Sequence, residues 1–227
     1  MSGTLVVVGA GPGLGLGVAR AFGRRGYRVG LVARTAEKLV AELTGAGVTA
    51  AAFSADIRDR AALTGALAAA KRAFGPADVL SYSPSPTGEI TGAARTTVAS
   101  ASAQFELHVL GAITAVGAVL PDMRARGTGT LLLTTGVSST VSAPFLANVG
   151  LAMAGLRNWA LGLHRELAPA GIHAAAVTIA SGVIPGDPLA DPDVIGERYY
   201  RLHRDAGRAE DVVGDLDAFR ALVARSG

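Results

Sequence analysis

A glycine-rich segment follows the first apolar run of the chain. The run ends at Val8, and the segment VVVGAGPGLGLGVARAF leads from it into a helical pattern, with a glycine at every second position from 9 to 17. Glycine allows backbone N–H groups to approach an anion closely, and the N-terminus of the following helix adds the positive end of its dipole. The segment therefore predicts a strand, a phosphate-binding turn and a helix, in that order. The alternative is a flexible glycine turn without a ligand.

Short β-branched runs alternate with longer Ala- and Leu-rich stretches of helical spacing along the chain. The short runs are almost continuously apolar, as in LVVVGA and RVGLVA, which is the pattern of parallel strands covered on both faces. The sequence therefore predicts an α/β fold: a three-layer, doubly wound parallel sheet of six or seven strands, of the Rossmann type, with helices on both faces. The predicted strands are 5–8, 28–33, 48–54, 78–82, 130–135 and 173–179, with a weaker candidate at 211–213.

Length and composition fit a single domain, residues 1–227. Half of the residues are hydrophobic and 17% are charged, which suits a buried sheet between helices. The 21 basic residues are scattered among 18 acidic ones without a basic stripe, so no nucleic-acid partner is expected. The N-terminus has no basic leader and no apolar run reaches the roughly 18 residues of a membrane span, so we expect no membrane partner. The absence of cysteine suits the cytoplasm, where we place the protein.

The spacing and the setting of the glycines indicate a dinucleotide ligand. Gly9, Gly13 and Gly15 fit Gly-x-x-x-Gly-x-Gly, whereas Gly-x-Gly-x-x-Gly fails because Leu14 falls at its third glycine. The turn lies between the first strand and the first helix of a βαβ unit, which is where dinucleotide-binding folds hold the pyrophosphate. We therefore expect Gly9, Gly11, Gly13, Leu14 and Gly15 to bind a nicotinamide dinucleotide.

The residues after the second strand favour NADP(H) over NAD(H). A site selective for NAD(H) carries an acidic residue there for the ribose 2′-hydroxyl, but the segment LVARTAEKL has Arg34 followed by Thr35. A guanidinium and a hydroxyl suit the 2′-phosphate, which needs charge-assisted donors. The alternative is a solvated arginine at the end of a strand.

Several motifs together resemble the short-chain dehydrogenase/reductase family. They are the glycine turn, ADI at 55–57, DVL at 78–80, the strand GTLLLTT and a long helix that ends in LHREL. The resemblance covers almost the whole chain and implies an adenine contact from Asp56 and Ile57. It also implies a nicotinamide contact near Gly182 and Ile184, and a cofactor contact from Ser83.

The positions that this family uses for catalysis differ here. Its members use a Ser, a Tyr, a Lys four residues after the Tyr, and an Asn, with the Lys lowering the pKa of the Tyr. The segment NVGLAMAGLRNW places Val149 at the Tyr and Met153 at the Lys, while Gly136 and His108 stand at the Ser and the Asn. No lysine follows Lys71, so no Tyr-x-x-x-Lys is possible. The resemblance therefore implies an atypical member.

Two other side chains are candidate proton donors. His108 titrates near neutrality at a helix position that faces the cofactor cleft in the family, and Gln104, one turn earlier, is placed to orient it. Tyr82 offers a phenol at the end of its strand. The alternatives are a structural His108 that replaces the Asn, and a Tyr82 that packs over the loop.

The substrate contacts are expected after the strand GTLLLTT and on the following helix. Thr135, Ser138 and Ser139 offer hydroxyls that can polarise a substrate oxygen, although such hydroxyls also cap turns. Val149 and Met153 are expected beside them as substrate-binding residues.

Two longer segments predict partners. Residues of about 183–205 stand where the family carries its substrate-covering segment, and their mixed aromatic and apolar content suits a small organic molecule. Residues 145–169 are apolar around much of a helix, more than one sheet contact needs, which predicts a homodimer or a homotetramer. The four histidines show no metal-ligand spacing, so no metal is expected.

Three functions fit these observations. The first is an NADP(H)-dependent oxidoreductase with a non-standard proton donor, acting on a carbonyl, imine or alcohol. The second is a non-redox enzyme of the same fold, a cyclase, lyase or isomerase of a biosynthetic pathway. The third is a non-catalytic sensor that binds NADP(H).

Overall fold

The structure, a computed structural model, describes residues 3–225. Its strands form one parallel sheet in the order β3-β2-β1-β4-β5-β6-β7. Positions 1–2 and 226–227 of the predicted domain lie outside the described residues. The strands are β1 (Thr4–Val8), β2 (Arg28–Ala33), β3 (Ala50–Ser54), β4 (Val79–Tyr82), β5 (Gly129–Gly136), β6 (Ile172–Ile179) and β7 (Glu210–Val213).

The doubly wound α/β sheet is confirmed, with a strand at each predicted place. The largest shift in a boundary is at β3, which begins at Ala50 rather than at Val48. The amide of Val48 donates to the carbonyl of Leu43 at 2.9 Å and so belongs to the end of the preceding helix. β5 extends to Gly136 because it pairs with β6 along its whole length.

Helices cover both faces of the sheet because alternate strand residues point to opposite sides. The α-helices are α1 (Leu14–Gly23), α2 (Glu37–Gly45), α3 (Arg60–Phe74), α4 (Val98–Phe105), α5 (Gly111–Arg126), α6 (Ala147–Leu167), α7 (Pro192–Arg204) and α8 (Leu216–Arg225). Val6 and Val8 join the apolar core under α3, α5 and α6, whereas Leu5 and Val7 join the core under α1, α2 and α7.

One apolar stretch departs from the expectation that no segment is long enough for a membrane. Residues Val98–Arg126, in which a π-helical turn joins α4 to α5, have the length and composition of a membrane span. Their buried side chains pack in the core of the domain, as Ala112, Ala115 and Met123 do with no exposed surface. The stretch is therefore a core helix, which explains its hydropathy without a bilayer.

α7 packs directly against α1 through two glycines. A Cβ atom at Gly17 would overlap the carbonyl of Pro192, and one at Gly196 would overlap the carbonyl of Gly17. Tyr199 is fully buried on the same helix. The substrate-covering role expected for about 183–205 stays a prediction; the helical part of this segment, from Pro192, packs against α1.

The order of the strands reverses between β1 and β4, since β1 pairs with β2 on one side and with β4 on the other. At such a switch point, the loops that follow the two strands diverge to opposite faces and leave a crevice at the carboxyl edge of the sheet. The glycine turn after β1 and the loop after β4 lie on either side of this crevice.

Candidate active site at the carboxyl edge of the sheet

The glycine turn has the conformation that its sequence demands. Gly9 has a φ of +83°, and a Cβ atom there would lie 2.5 Å from the backbone nitrogen of Pro84. A Cβ atom at Gly11 would meet open space, with nothing within 4 Å among the described residues. α1 starts at Leu14 without a capping side-chain hydrogen bond in the described part of the chain. The turn therefore fits a phosphate, because the first N–H groups of α1 are left for an anion.

A cavity of about 460 Å³ opens beside this turn. It brings together residues from the turn after β1, the loop after β4, β5, β6 and α6, which are far apart in the sequence. Most of the predicted cofactor and substrate residues line it, namely Gly9, Gly11, Gly13, Leu14, Gly15, Ser83, Thr135, Ser138, Val149 and Met153. The buried hydroxyl of Ser83 has no hydrogen-bond partner among residues 3–225, so it is free to bind a ligand.

A second, smaller cavity of about 180 Å³ continues from the turn toward β2 and β3. Arg34, Asp56 and Ile57 line it, as expected for the adenosine end of a dinucleotide site. Thr35 is exposed next to Arg34, outside the lining residues that the structure describes. Within residues 3–225, the guanidinium of Arg34 has no ion pair with a carboxylate, which leaves its charge available to an anion.

Arg58 is a lining residue of this second cavity that the sequence analysis missed. It binds Asp56 with two side-chain hydrogen bonds, the shorter one 2.7 Å long. These bonds, together with the Arg58 backbone N–H, lower the pKa of Asp56 to about 2. The sequence feature that could have identified this residue is the segment ADIR, in which an arginine stands two positions after an acidic residue.

The segment after β6, in which nicotinamide contacts are predicted, reaches the larger cavity through Val183. Gly182 and Ile184 are exposed, and Val183 between them lines the cavity. The position of a Cβ atom at Gly13 lies 3.5 Å from Val183, so this side chain reaches the glycine turn. The nicotinamide contacts of Gly182 and Ile184 stay predictions.

The position of Tyr82 corrects its assignment as a candidate acid. Its side chain is fully buried on the α5 side of the sheet, where the phenol donates to the carbonyl of Leu107. Burial raises the pKa of this phenol far above its ordinary value. Gly111 makes room for the ring, because a Cβ atom there would overlap the hydroxyl. Tyr82 is therefore a packing residue, although it packs against the start of α5 and not over the loop after β4.

His108 is buried in the π-helical turn between α4 and α5, with 1% of its surface exposed. Neither ring nitrogen has a hydrogen-bond partner in the described part of the chain, and burial lowers its pKa to about 4. The amide of Gln104, which was expected to orient the ring, donates instead to the carbonyl of Thr87 at 3.0 Å. His108 is thus neutral at pH 7 and lies outside the lining residues described for the two cavities.

Asn148 is a structural residue of the site that sequence analysis did not identify. It is fully buried at the start of α6, and its Oδ1 accepts from the amide of Thr91 at 2.9 Å. Its Nδ2 donates to the carbonyl of Glu89 at 2.9 Å. These bonds fix the loop after β4, which carries Ile90 into the cleft, onto the helix that carries Val149.

Comparisons with known proteins agree with this geometry. The family model for short chain dehydrogenases matches residues 3–186, so the chain belongs to the short-chain dehydrogenase family. It is similar to the oxidoreductase UcpA of Escherichia coli (strain K12), with 30% identity over 225 residues that cover 86% of this chain and 84% of UcpA.

Solved structures give the same result. A short-chain dehydrogenase from Rhodopseudomonas palustris has a TM-score of 0.81 at 27% identity, over 94% of this chain and 98% of that one. The L-sorbose reductase of Gluconobacter frateurii, complexed with NADPH and L-sorbose, has a TM-score of 0.81 at 20% identity, over 94% of this chain and 95% of that one. The second likeness shows the shared fold.

Proposed function

We propose that the chain is an NADP(H)-dependent oxidoreductase that acts on a carbonyl, imine or alcohol group of a small organic molecule, without the Tyr-x-x-x-Lys pair. The observation that carries the proposal is that the glycine turn and the apolar face of α6 line one cavity of about 460 Å³. A cofactor held by the turn and a substrate held by α6 would therefore be neighbours. The relative UcpA bears the name of an oxidoreductase, which supports the same class of reaction.

The residues present fit a nicotinamide dinucleotide. Gly9, Gly11 and the first turn of α1 would hold the pyrophosphate, and Asp56 would contact the adenine. The unpaired guanidinium of Arg34 would bind the 2′-phosphate through charge-assisted hydrogen bonds, which is the support for NADP(H) over NAD(H). When bound, the cofactor supplies a hydride. L-sorbose reductase, which shares the fold, is complexed with NADPH.

The apolar walls of the cleft would exclude water from the reacting carbon. The proton that accompanies hydride transfer would then have to come from a hydroxyl group. Val149 and Met153 are 4% and 5% exposed and cannot transfer a proton. Thr135 and Ser138 line the same cavity. The proposal therefore assigns contact with the reacting oxygen to the hydroxyl of Ser138, a further substrate contact to Thr135, and the apolar walls to α6.

The test has two stages. NADPH and NADH are titrated into the full chain and followed by cofactor fluorescence, and carbonyl, imine and alcohol panels are then screened for a change in NADPH absorbance. Binding of NADPH followed by turnover supports the proposal. No affinity for either cofactor overturns it at the first stage.

Binding without turnover would instead favour a non-catalytic sensor, and product formation without consumption of cofactor would favour a non-redox enzyme. The burial of His108 and the inert side chains of Val149 and Met153 suit the sensor as well as they suit an atypical enzyme. A homo-oligomer and a cytoplasmic location stay predictions, which a measured mass in solution and cell fractionation test.

A further inference from the structure

A line of polar side chains runs beneath α6 from the cleft to the edge of the sheet. Thr135 and Thr178 are direct partners in the register of β5 and β6, and their hydroxyl oxygens are 2.8 Å apart. The hydroxyl of Thr178 donates to Oε1 of Glu210 on β7, also at 2.8 Å. Thr135 is 2% exposed and Thr178 is fully buried, so this hydroxyl chain is shielded from water over most of its length.

The far end of the hydroxyl chain is a fixed anion. Nε of Arg157 on α6 donates to Oε1 of Glu210 at 2.7 Å, and the guanidinium also binds Oε2. The hydrogen bonds from Arg157, and then from Thr178, lower the pKa of Glu210 against the opposing effect of its burial. An ionised carboxylate accepts hydrogen bonds and donates none.

This anion sets the direction of each hydrogen bond in the chain. A hydroxyl has one hydrogen to donate, and that of Thr178 goes to Glu210. The oxygen of Thr178 therefore accepts from Thr135, which uses up the one hydrogen of Thr135. Thr135 is a lining residue of the cleft, and its oxygen is left as an acceptor. Ser139 donates to the same oxygen at a long 3.4 Å and does not reverse this polarity.

We propose that Glu210 and Thr178 are positioning residues that fix Thr135 as a hydrogen-bond acceptor, so that the cleft selects substrates with a hydroxyl or N–H donor beside the reacting carbon. The proposal rests on the proposed function for the reacting carbon itself. The selection is chemical, because the side chains of Val149, Met153 and Leu146 in the same lining are apolar and offer such a donor no hydrogen bond. An acceptor-only substrate would face an oxygen that has no hydrogen to give.

The experiment measures equilibrium binding, so that its outcome does not depend on turnover. The probes are phenacyl alcohol, a ketone with a hydroxyl on the adjacent carbon, its methyl ether, and acetophenone, which lacks that oxygen. Dissociation constants are measured by NMR titration of the full chain, with and without NADP⁺. Oxidised cofactor cannot reduce the ketone groups, and any oxidation of the alcohol group of phenacyl alcohol would be visible in the same NMR spectra, so binding is read before turnover.

The wild type is expected to bind phenacyl alcohol about tenfold more tightly than either other probe, which is the effect of one net neutral hydrogen bond. Thr178→Val frees the hydrogen of Thr135 and should reduce this preference to about onefold to threefold. Thr178→Ser keeps the hydroxyl and should retain the preference. Thr130→Val is the matched control, because Thr130 is a buried, hydrogen-bonded threonine at the other end of β5.

Three results would overturn the proposal: equal binding of the three probes by the wild type, no binding of any probe up to its solubility, or a full preference retained in Thr178→Val. If Thr178→Val does not fold, Thr178→Ser and the wild-type comparison decide. Failure of the proposed function has a different signature, namely no turnover of any substrate while the binding preference persists.

Discussion

The wall of the cleft formed by the glycine turn and the wall formed by α6 present different kinds of groups to a ligand. The turn offers backbone N–H groups in a conformation fixed by Gly9, whose φ is +83°. α6 offers the side chains of Val149 and Met153, which fix a shape and an apolar surface. The two walls share no atoms: one binds the cofactor through its backbone, and the other shapes the cleft through its side chains. A fold can therefore keep its backbone site for the cofactor while the side chains on the opposite wall differ.

The largest effect is expected at the backbone wall. Gly9→Ala forces a side chain into a left-handed conformation and places its Cβ atom 2.5 Å from the nitrogen of Pro84. We expect a loss of about 4 kcal/mol in the free energy of unfolding, from strain and overlap together, and a loss of cofactor binding. Urea unfolding and NADPH titration measure both.

Gly65→Ala is the control for Gly9→Ala. Gly65 lies in α3 with open space around its Cβ position in the described part of the chain, so the alanine should stabilise by about 0.5–1 kcal/mol. Equal behaviour of the two variants would show that the turn does not need its glycine.

The next effect concerns the attachment of the α6 wall to the loop after β4. Asn148→Ala leaves the amide of Thr91 and the carbonyl of Glu89 without their partner, and a loss of about 3 kcal/mol in unfolding free energy is expected. Asn158→Ala on the exposed side of the same helix is the matched control and should change stability by less than about 0.5 kcal/mol. A similar loss in both variants would contradict the role of Asn148.

A comparable effect is expected from pH at the buried His108. Its pKa is about 4 in the folded protein against an ordinary 6.5, so the unfolded chain binds more protons between these values. The free energy of unfolding should therefore fall as the pH drops through this window, by about 3 kcal/mol for this group. His108→Leu should remove that part of the slope in urea unfolding measured across the window.

A smaller slope should persist in His108→Leu, because burial also lowers the pKa of His173 and of His203. An unchanged slope in the variant would show that His108 does not titrate as a buried, unpartnered ring.

The smallest effect is expected at Arg34, in the smaller cavity that fits the adenosine end of the cofactor. Arg34→Ala should weaken NADPH binding by roughly tenfold to a hundredfold, the value of one hydrogen bond to a charged group, and leave NADH binding unchanged. The control is Arg72→Ala, an exposed arginine on α3. A loss that is equal for NADPH and NADH would contradict a contact with the 2′-phosphate.

The parts of the molecule that were predictable from sequence are those with a local cause. The strands were visible because buried parallel strands read as apolar runs, and the glycine turn was visible because its conformation excludes side chains. The position of Tyr82 was not predictable, since the space that accepts its ring lies at Gly111, far along the chain. Alternation along a strand gives two faces without saying which one meets the cleft.

The hydroxyl chain was beyond sequence analysis for a related reason. Thr135, Thr178 and Glu210 belong to three separate strands, and they meet only because β5, β6 and β7 are adjacent in a particular register. Asn148 likewise acts through partners that the fold supplies. Sequence analysis identified functional residues whose chemistry and local structure are both visible in a short segment. It missed residues whose contacts depend on the pairing of distant strands.

The contact between Gly17 and Gly196 couples the start of the domain to its end. Two glycine faces in contact leave no slack, so a movement of either helix displaces the other. The helix that leads away from the phosphate-binding turn and the helix that follows the loop bordering the cleft are therefore held in direct backbone contact, and a side chain at either glycine would force the two helices apart.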